Sequence, residues 1–174
     1  MAIDKYTKAI QVNPDFEDAY YYRGLSYHHL DQYQNSINDY TKAIQLDPDD
    51  AYNYEGRGSA YHELKKYDLA ISDFDHSISL DPELAIAYYG RGYAYHWLSI
   101  GGYSNAAKRL DIATNEQAVR DLTKAIELDP EFAGAYWIRS GANDWLMEST
   151  GNMEYYRAMV ADKAKACSLD SRYC

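Results

Sequence analysis

An all-α array of stacked helical hairpins is the fold this sequence predicts, and three observations predict it. The first is repetition. YTKAIQVNP at 6–14 returns as YTKAIQLDP at 40–48, FDHSISLDP at 74–82 and LTKAIELDP at 122–130. Pro14, Pro48 and Pro82 are spaced by 34 residues; Pro130 follows after 48, and KAKACSLDS sets Ser171 where another proline would stand, after 41. A fixed period in this range marks units too small to bury a hydrophobic face alone, which therefore pile up on their neighbours. The second observation is helical periodicity inside each unit. The third is proline at the junctions, where it disturbs a helix least.

The elements follow in order. Residues 1–14 form a half-unit, a lone second helix whose apolar face carries Ile3, Tyr6 and Ile10. In 15–48 the run DAYYYRGLSYHHL puts Tyr20, Arg23, Gly24 and Tyr27 at i, i+3, i+4 and i+7, one face of a helix A. After the polar DQYQ, NSINDYTKAIQL places Ile37, Tyr40 and Ile44 on one face of a helix B, and LDPDD ends that helix and starts the next. Unit 49–82 repeats this plan. Unit 83–130 carries 14 additional residues, an insertion near 99–113. Thr114-x-x-Gln117 reads as a capping box, so its helix B is expected to begin there, with the insertion as a protruding loop holding a short helix in NAAKRLDIA. The degenerate unit 131–171 has seven additional residues around MESTGNM, expected to add one turn to each helix.

The repeated pattern, Y-x-x-R-G-x-x-Y followed by a small residue, an aromatic and a proline, resembles the tetratricopeptide repeat. It runs Tyr20, Gly24, Tyr27, Ser36, Tyr40, Pro48 in one unit, then Tyr54, Gly58, Tyr61, Ala70, Phe74, Pro82, then Tyr88, Gly92, Tyr95, Ala118, Leu122, Pro130. The last unit keeps Tyr136 but has Ser140, Asn143 and Ser171 in place of Gly, Tyr and Pro. The resemblance implies a right-handed superhelical α-solenoid of antiparallel helix pairs, about three and a half units long, whose A helices line a concave groove. It also implies a protein that binds peptide segments or partner proteins and rarely catalyses a reaction.

Copies inside one chain can be compared with one another. Arg23, Arg57, Arg91 and Arg139 share one position of helix A; Asp39, Asp73, Asp121 and Asp162 share one position of helix B. Guanidinium and carboxylate can pair bidentately, so these are expected to clamp A to B within each unit. The half-unit, which has no helix A, carries Lys5 at the aspartate position.

The face of helix A opposite the core collects Asp18, Tyr21, Leu25, His28 and His29, then Tyr52, Glu55, Ser59, His62 and Glu63. The third copy gives Ile86, Tyr89, Tyr93, His96 and Trp97, and the fourth Gly134, Trp137, Gly141, Asp144 and Trp145. A merely solvated face would be rich in Lys, Glu and Gln, whereas this one holds all three tryptophans. Exposed Tyr and Trp anchor interaction sites, so Tyr21, His28, Tyr52, Glu55, His62, Tyr89, Tyr93, His96, Trp97, Trp137 and Trp145 are the expected partner-binding groove. Some members of the family grip a terminal carboxylate with Lys and Asn at these positions; this chain has neither there. An aromatic and imidazole groove with scattered acids suits a segment with apolar and basic side chains. His28, His62 and His96 recur once per unit, too far apart for one metal, and are expected to weaken binding of cationic segments below about pH 6.5.

The remaining signals exclude more than they assign. A net charge of −10 disfavours nucleic acid and anionic membranes. GRGSAY and GRGYAY lack the third glycine and the preceding strand of a dinucleotide site; His62-Glu63 lacks the second histidine of a zinc protease, with Lys66 in its place. The sequence therefore predicts no enzyme, no cofactor and no metal. Cys167 and Cys174 are too few for a disulfide framework and lack metal-type spacing, and no apolar run of 18 residues or signal peptide stands out, so a reducing, cytoplasmic location is the simplest expectation. Ends without a polar capping helix suggest a fragment of a longer array, a regulatory piece of a larger protein, or a homo-oligomer joined through its ends.

Overall fold

A computed structural model describes residues 2–100 and 107–174. Among the described residues there are nine α-helices and no strand. The chain divides into two compact units, Met1–Pro82 and Glu83–Cys174. The first holds α1 (Ala2–Val12), α2 (Glu17–His28), α3 (Tyr33–Leu46), α4 (Ala51–Glu63) and α5 (Tyr67–Leu80). Here α2 pairs with α3 and α4 with α5, while α1 packs on α2 and α3 on α4. The second holds α6 (Ala85–Ile100), α7 (Ala107–Leu128), α8 (Ala133–Thr150), α9 (Met153–Leu169) and a 3₁₀ turn, Ser171–Tyr173. Its hairpins are α6–α7 and α8–α9, joined by packing of α7 on α8. No described helix is long and apolar enough to cross a membrane.

Local chemistry sets the ends of these helices. Asp50 accepts the Tyr52 N–H at 2.8 Å to start α4, and Asn152 accepts the Glu154 N–H at 2.9 Å to start α9. The turns after α2 and α4 put Asp31 and Lys65, 34 residues apart, in left-handed backbone with φ 57° and 58°. The turn after α8 meets the same demand with Gly151 at φ 71°, the residue that adopts it without steric cost.

Close helix packing needs small residues on one side and a ring or branched chain on the other. Ala19, Ala43, Ala60 and Ala70 are fully or almost fully buried in the first unit, around Tyr40 and Phe74. Tyr40 of α3 lies so near α4 that a Cβ on Gly56 would stand 2.4 Å from its ring. In the second unit Ala118, Leu122, Ala125 and Ala135 form the core, with Tyr88, Tyr95 and Ile138 packed against it.

Two expectations are corrected. Helix α7 starts at Ala107 and runs through Thr114, so Thr114-x-x-Gln117 is helix interior rather than a cap. The additional residues lengthen α6 to 16 residues and α7 to 22; the rest of the expected loop, 101–106, lies outside the described residues. The two cysteines are not thiols: the 3₁₀ turn folds Cys174 back onto α9, where it forms a disulfide with Cys167. Such bonds persist in oxidising compartments and are rare in the cytosol.

Candidate partner-binding face

The arginines fix how each hairpin presents its outer face. Arg23 donates from Nε and Nη2 to the two carboxylate oxygens of Asp39, both at 2.7 Å. Arg57 grips Asp73 in the same way at 2.8 Å, Arg91 grips Asp121 at 2.8 Å, and Arg139 grips Asp162 at 2.8 and 2.7 Å. These pairs are largely buried, and each guanidinium also lies 5.6–5.8 Å from the ring three residues before it, Tyr20, Tyr54, Tyr88 or Tyr136. Sequence reasoning missed a further partner. The remaining Nη1 of Arg23, Arg57 and Arg139 donates to Thr7, Thr41 and Thr123 on the preceding helix B at 3.1, 3.2 and 2.9 Å. The signal was in view, because these are the threonines of YTKAI and LTKAI.

With the arginines facing inward, the opposite side of helix A is left for other contacts. In the first unit Tyr21 is half-buried and meets Tyr22 edge-on at 5.1 Å and Tyr40 at 5.7 Å. Burial and the nearby Glu55 push the Tyr21 phenol up to about 12. Glu55 accepts the Ser59 hydroxyl at 2.8 Å, and burial raises its carboxyl above the usual range. Tyr52 is 48% exposed. Tyr22, which the helical-wheel reading left off this face, lines the same cavity as Tyr21 and Tyr52.

In the second unit Tyr89, Tyr93 and Trp97 succeed one another along α6 with ring centroids 5.9 and 6.2 Å apart. Phe132 continues this row from Tyr89 at 4.6 Å. Trp97 and Trp137 are each 39% exposed, whereas Trp145 is half-buried. Trp137 carries Tyr173 stacked on it at 5.5 Å, delivered by the disulfide-closed turn.

The three repeated histidines are half-buried. His28 packs on Tyr33 at 5.3 Å and His62 on Tyr67 at 5.4 Å, each at the start of its own helix B. His96 Nδ1 lies 2.8 Å from Asn115 Oδ1, and Asn115 Nδ2 donates to the Ala142 carbonyl at 2.8 Å. That second bond orients the amide, so Nδ1 carries the proton. Burial holds all three imidazoles below their ordinary range, which moves any charging below the expected pH 6.5. Among the described residues no three His, Cys, Asp or Glu side chains converge as metal ligands.

Antiparallel hairpins, each clamped by one arginine–aspartate pair and carrying rings on the opposite face, define a helical-repeat protein. Models described as tetratricopeptide repeat or TPR repeat match residues 17–50, 39–72, and 1–31 with 58–98, together more than half of the chain. The chain belongs to the tetratricopeptide-repeat family. Its fold is similar to that of MamA 41-end from Desulfovibrio magneticus RS-1, with TM-score 0.72 and 18% identity over 98% of this chain and 84% of that one. It is also similar to YrrB, a TPR protein with an unusual peptide-binding site: TM-score 0.66, 17% identity, over 97% and 76%. The first TPR domain of Spaghetti (RPAP3), bound to the HSP90 peptide SRMEEVD, gives TM-score 0.62 and 26% identity over 75% and 92%. No curated protein matches the chain in sequence.

Proposed function

We propose that this chain is a non-catalytic interaction scaffold that captures a segment of a partner protein on the outer faces of its A helices. The carrying observation is the row Tyr89, Tyr93 and Trp97, with Trp97 and Trp137 both well exposed. Exposed indoles held in a fixed row are typical of binding anchors, because a rigid ring buries much area at little conformational cost. Solved TPR proteins that bind peptides, among them RPAP3 with its HSP90 peptide, support the reading. In this reading Trp97 and Trp137 supply most of the affinity, Tyr21, Tyr52 and Glu55 shape the first unit's face, His96 lies beside Trp97, and His28 and His62 brace helix B through Tyr33 and Tyr67. A pull-down comparing wild type with a Trp97→Ala/Trp137→Ala variant tests it by mass spectrometry. A partner enriched on wild type and depleted about tenfold or more on the variant is expected. Identical sets on both would overturn the proposal.

A second reading, pairing of two copies of this chain, has one observation in its favour. Met153, Tyr156 and Val160 form an exposed apolar stripe on α9, at 56%, 43% and 48%. Light scattering at high concentration decides it: a monomer mass rules it out, and a doubled mass lost on Val160→Glu supports it.

A further inference from the structure

Tyr21, Tyr22 and Tyr52, with Asp18 and Asp50, line a cavity of about 300 Å³ in the unit Met1–Pro82. Its walls are set before anything binds. Tyr22 is stacked on Tyr6 at 5.7 Å, Tyr21 is wedged between Tyr22 and Tyr40, and Asp50 is held as the cap of α4. An apolar ligand would fit three rings but would strand the two carboxylates. Among the described residues neither Asp18 nor Asp50 pairs with a Lys or Arg. The acids are also crowded. Glu17, which accepts an Asn53 N–H at 2.7 Å, is held above the usual carboxyl range by burial and then by the charges of Asp50, Asp18 and Asp47.

Negative potential beside π faces, with no cation of its own, is relieved by a cation in two ways. A cation pairs with the carboxylates and is attracted to the negative face of each ring. The same chemistry already works inside the fold, where each clamped arginine lies beside a tyrosine and on an aspartate; those arginines are committed to their hairpins and leave this cavity unserved. We propose that the cavity seats a basic side chain, arginine or lysine, of the captured partner segment. The proposal deepens the scaffold reading and rests on it: it gives the segment a charge and places that charge at the junction of α2 and α4. Guanidinium, being planar and weakly hydrated, stacks on tyrosine better than ammonium does, so arginine leads.

Ring signals of labelled tyrosines, followed by NMR at low ionic strength, test this with small probes: N-acetyl-arginine amide, N-acetyl-lysine amide and the neutral isostere N-acetyl-citrulline amide. The two cationic amides are expected to shift Tyr21, Tyr22 and Tyr52, with citrulline about tenfold weaker or more. Asp18→Asn/Asp50→Asn, in which asparagine still caps α4, should weaken the arginine amide about fivefold or more, and so should Tyr52→Leu at an exposed ring. Citrulline binding as well as arginine, arginine binding that survives the double substitution, or no shift with any amide would each overturn the proposal. The two readings fail separately. Silence of the amides leaves capture on the row ending at Trp97 standing, while a partner indifferent to Trp97→Ala/Trp137→Ala removes the scaffold reading without touching the amide result.

Discussion

Arg57 Nη1 donates to Thr41 Oγ1 at 3.2 Å, reaching 16 residues back to the preceding helix, while its other nitrogens hold Asp73, 16 residues ahead. One guanidinium thus ties α4 both to its own hairpin partner and to α3. Arg23 makes the same bonds to Thr7 and Asp39, and Arg139 to Thr123 and Asp162. Removing one partner of a nearly buried pair strands the other charge, so Asp73→Ala is expected to lose about 3 kcal/mol. Thr41→Val keeps the shape and loses one bond to a charged group, about 1 kcal/mol. Urea unfolding followed by circular dichroism measures both. A neutral Thr41→Val would make the contact to α3 incidental.

Gly56 of α4 lies against Tyr40 of the preceding hairpin. A Cβ there would stand 2.4 Å from the ring of Tyr40, which is almost fully buried and has no room to swing. Alanine would gain up to ~1 kcal/mol of helix propensity and lose more to overpacking, a net loss of about 1–2 kcal/mol. The same denaturation experiment reads it. A stabilised Gly56→Ala would show that α3 and α4 can part without cost.

The histidines make stability depend on pH in a definite sense. His96 is held below its ordinary range mainly by burial, so the unfolded chain takes up a proton as pH falls below about 6.5 while the folded chain does not. That stability is full above the unfolded value and is lost as pH falls towards the lower folded one. His28 and His62 act in the same sense. Glu17 and Glu55, raised by burial, act oppositely: the folded chain protonates them first and gains stability as pH falls through their range. The urea midpoint of wild type should therefore drop more between pH 7.5 and 5.5 than that of His96→Gln. Equal drops would contradict the assignment.

Reduction of the Cys167–Cys174 bond is expected to act on a tryptophan. The closed turn sets Tyr173 on Trp137, and opening it releases that ring and costs about 2 kcal/mol of local order on the chain-entropy account. Trp137 emission should change on adding a reductant, and the change should vanish in Trp137→Phe. Emission unaffected by reductant in wild type would show that the stack holds without the bond.

The period made most of the fold legible. Proline spacing and the Tyr-x-x-Arg-Gly pattern mark α2 to α5 because each is close to the minimal hairpin, with little to blur its ends. What escaped reading was held by tertiary contacts, whose partners a local pattern does not name even where, as with the recurrent threonine, it repeats the position. Thr114 looks like a cap, yet Asn115 beside it is wholly buried and bonded to His96 and Ala142, which keeps the chain helical through that point. Thr7 and Thr41 look like surface residues of a helix B until an arginine from the next hairpin reaches them. The outer face was legible as a set of rings, but a helical wheel places Tyr22 off that face and cannot see that Tyr6 holds it at the cavity. The two cysteines, only seven residues apart, carry no signal that a 3₁₀ turn will fold them together.

Asn115 stands just past the inserted stretch, at the position where Tyr33 and Tyr67 open helix B in the two preceding units. Its amide joins three helices at once, accepting a hydrogen bond from His96 on α6 and donating one to the Ala142 carbonyl on α8. A place held by a ring in the two preceding units has therefore become a polar keystone in this one. Putting the siblings' tyrosine here would remove the acceptor for His96 and the tie to α8, so this position is no longer free to follow the repeat.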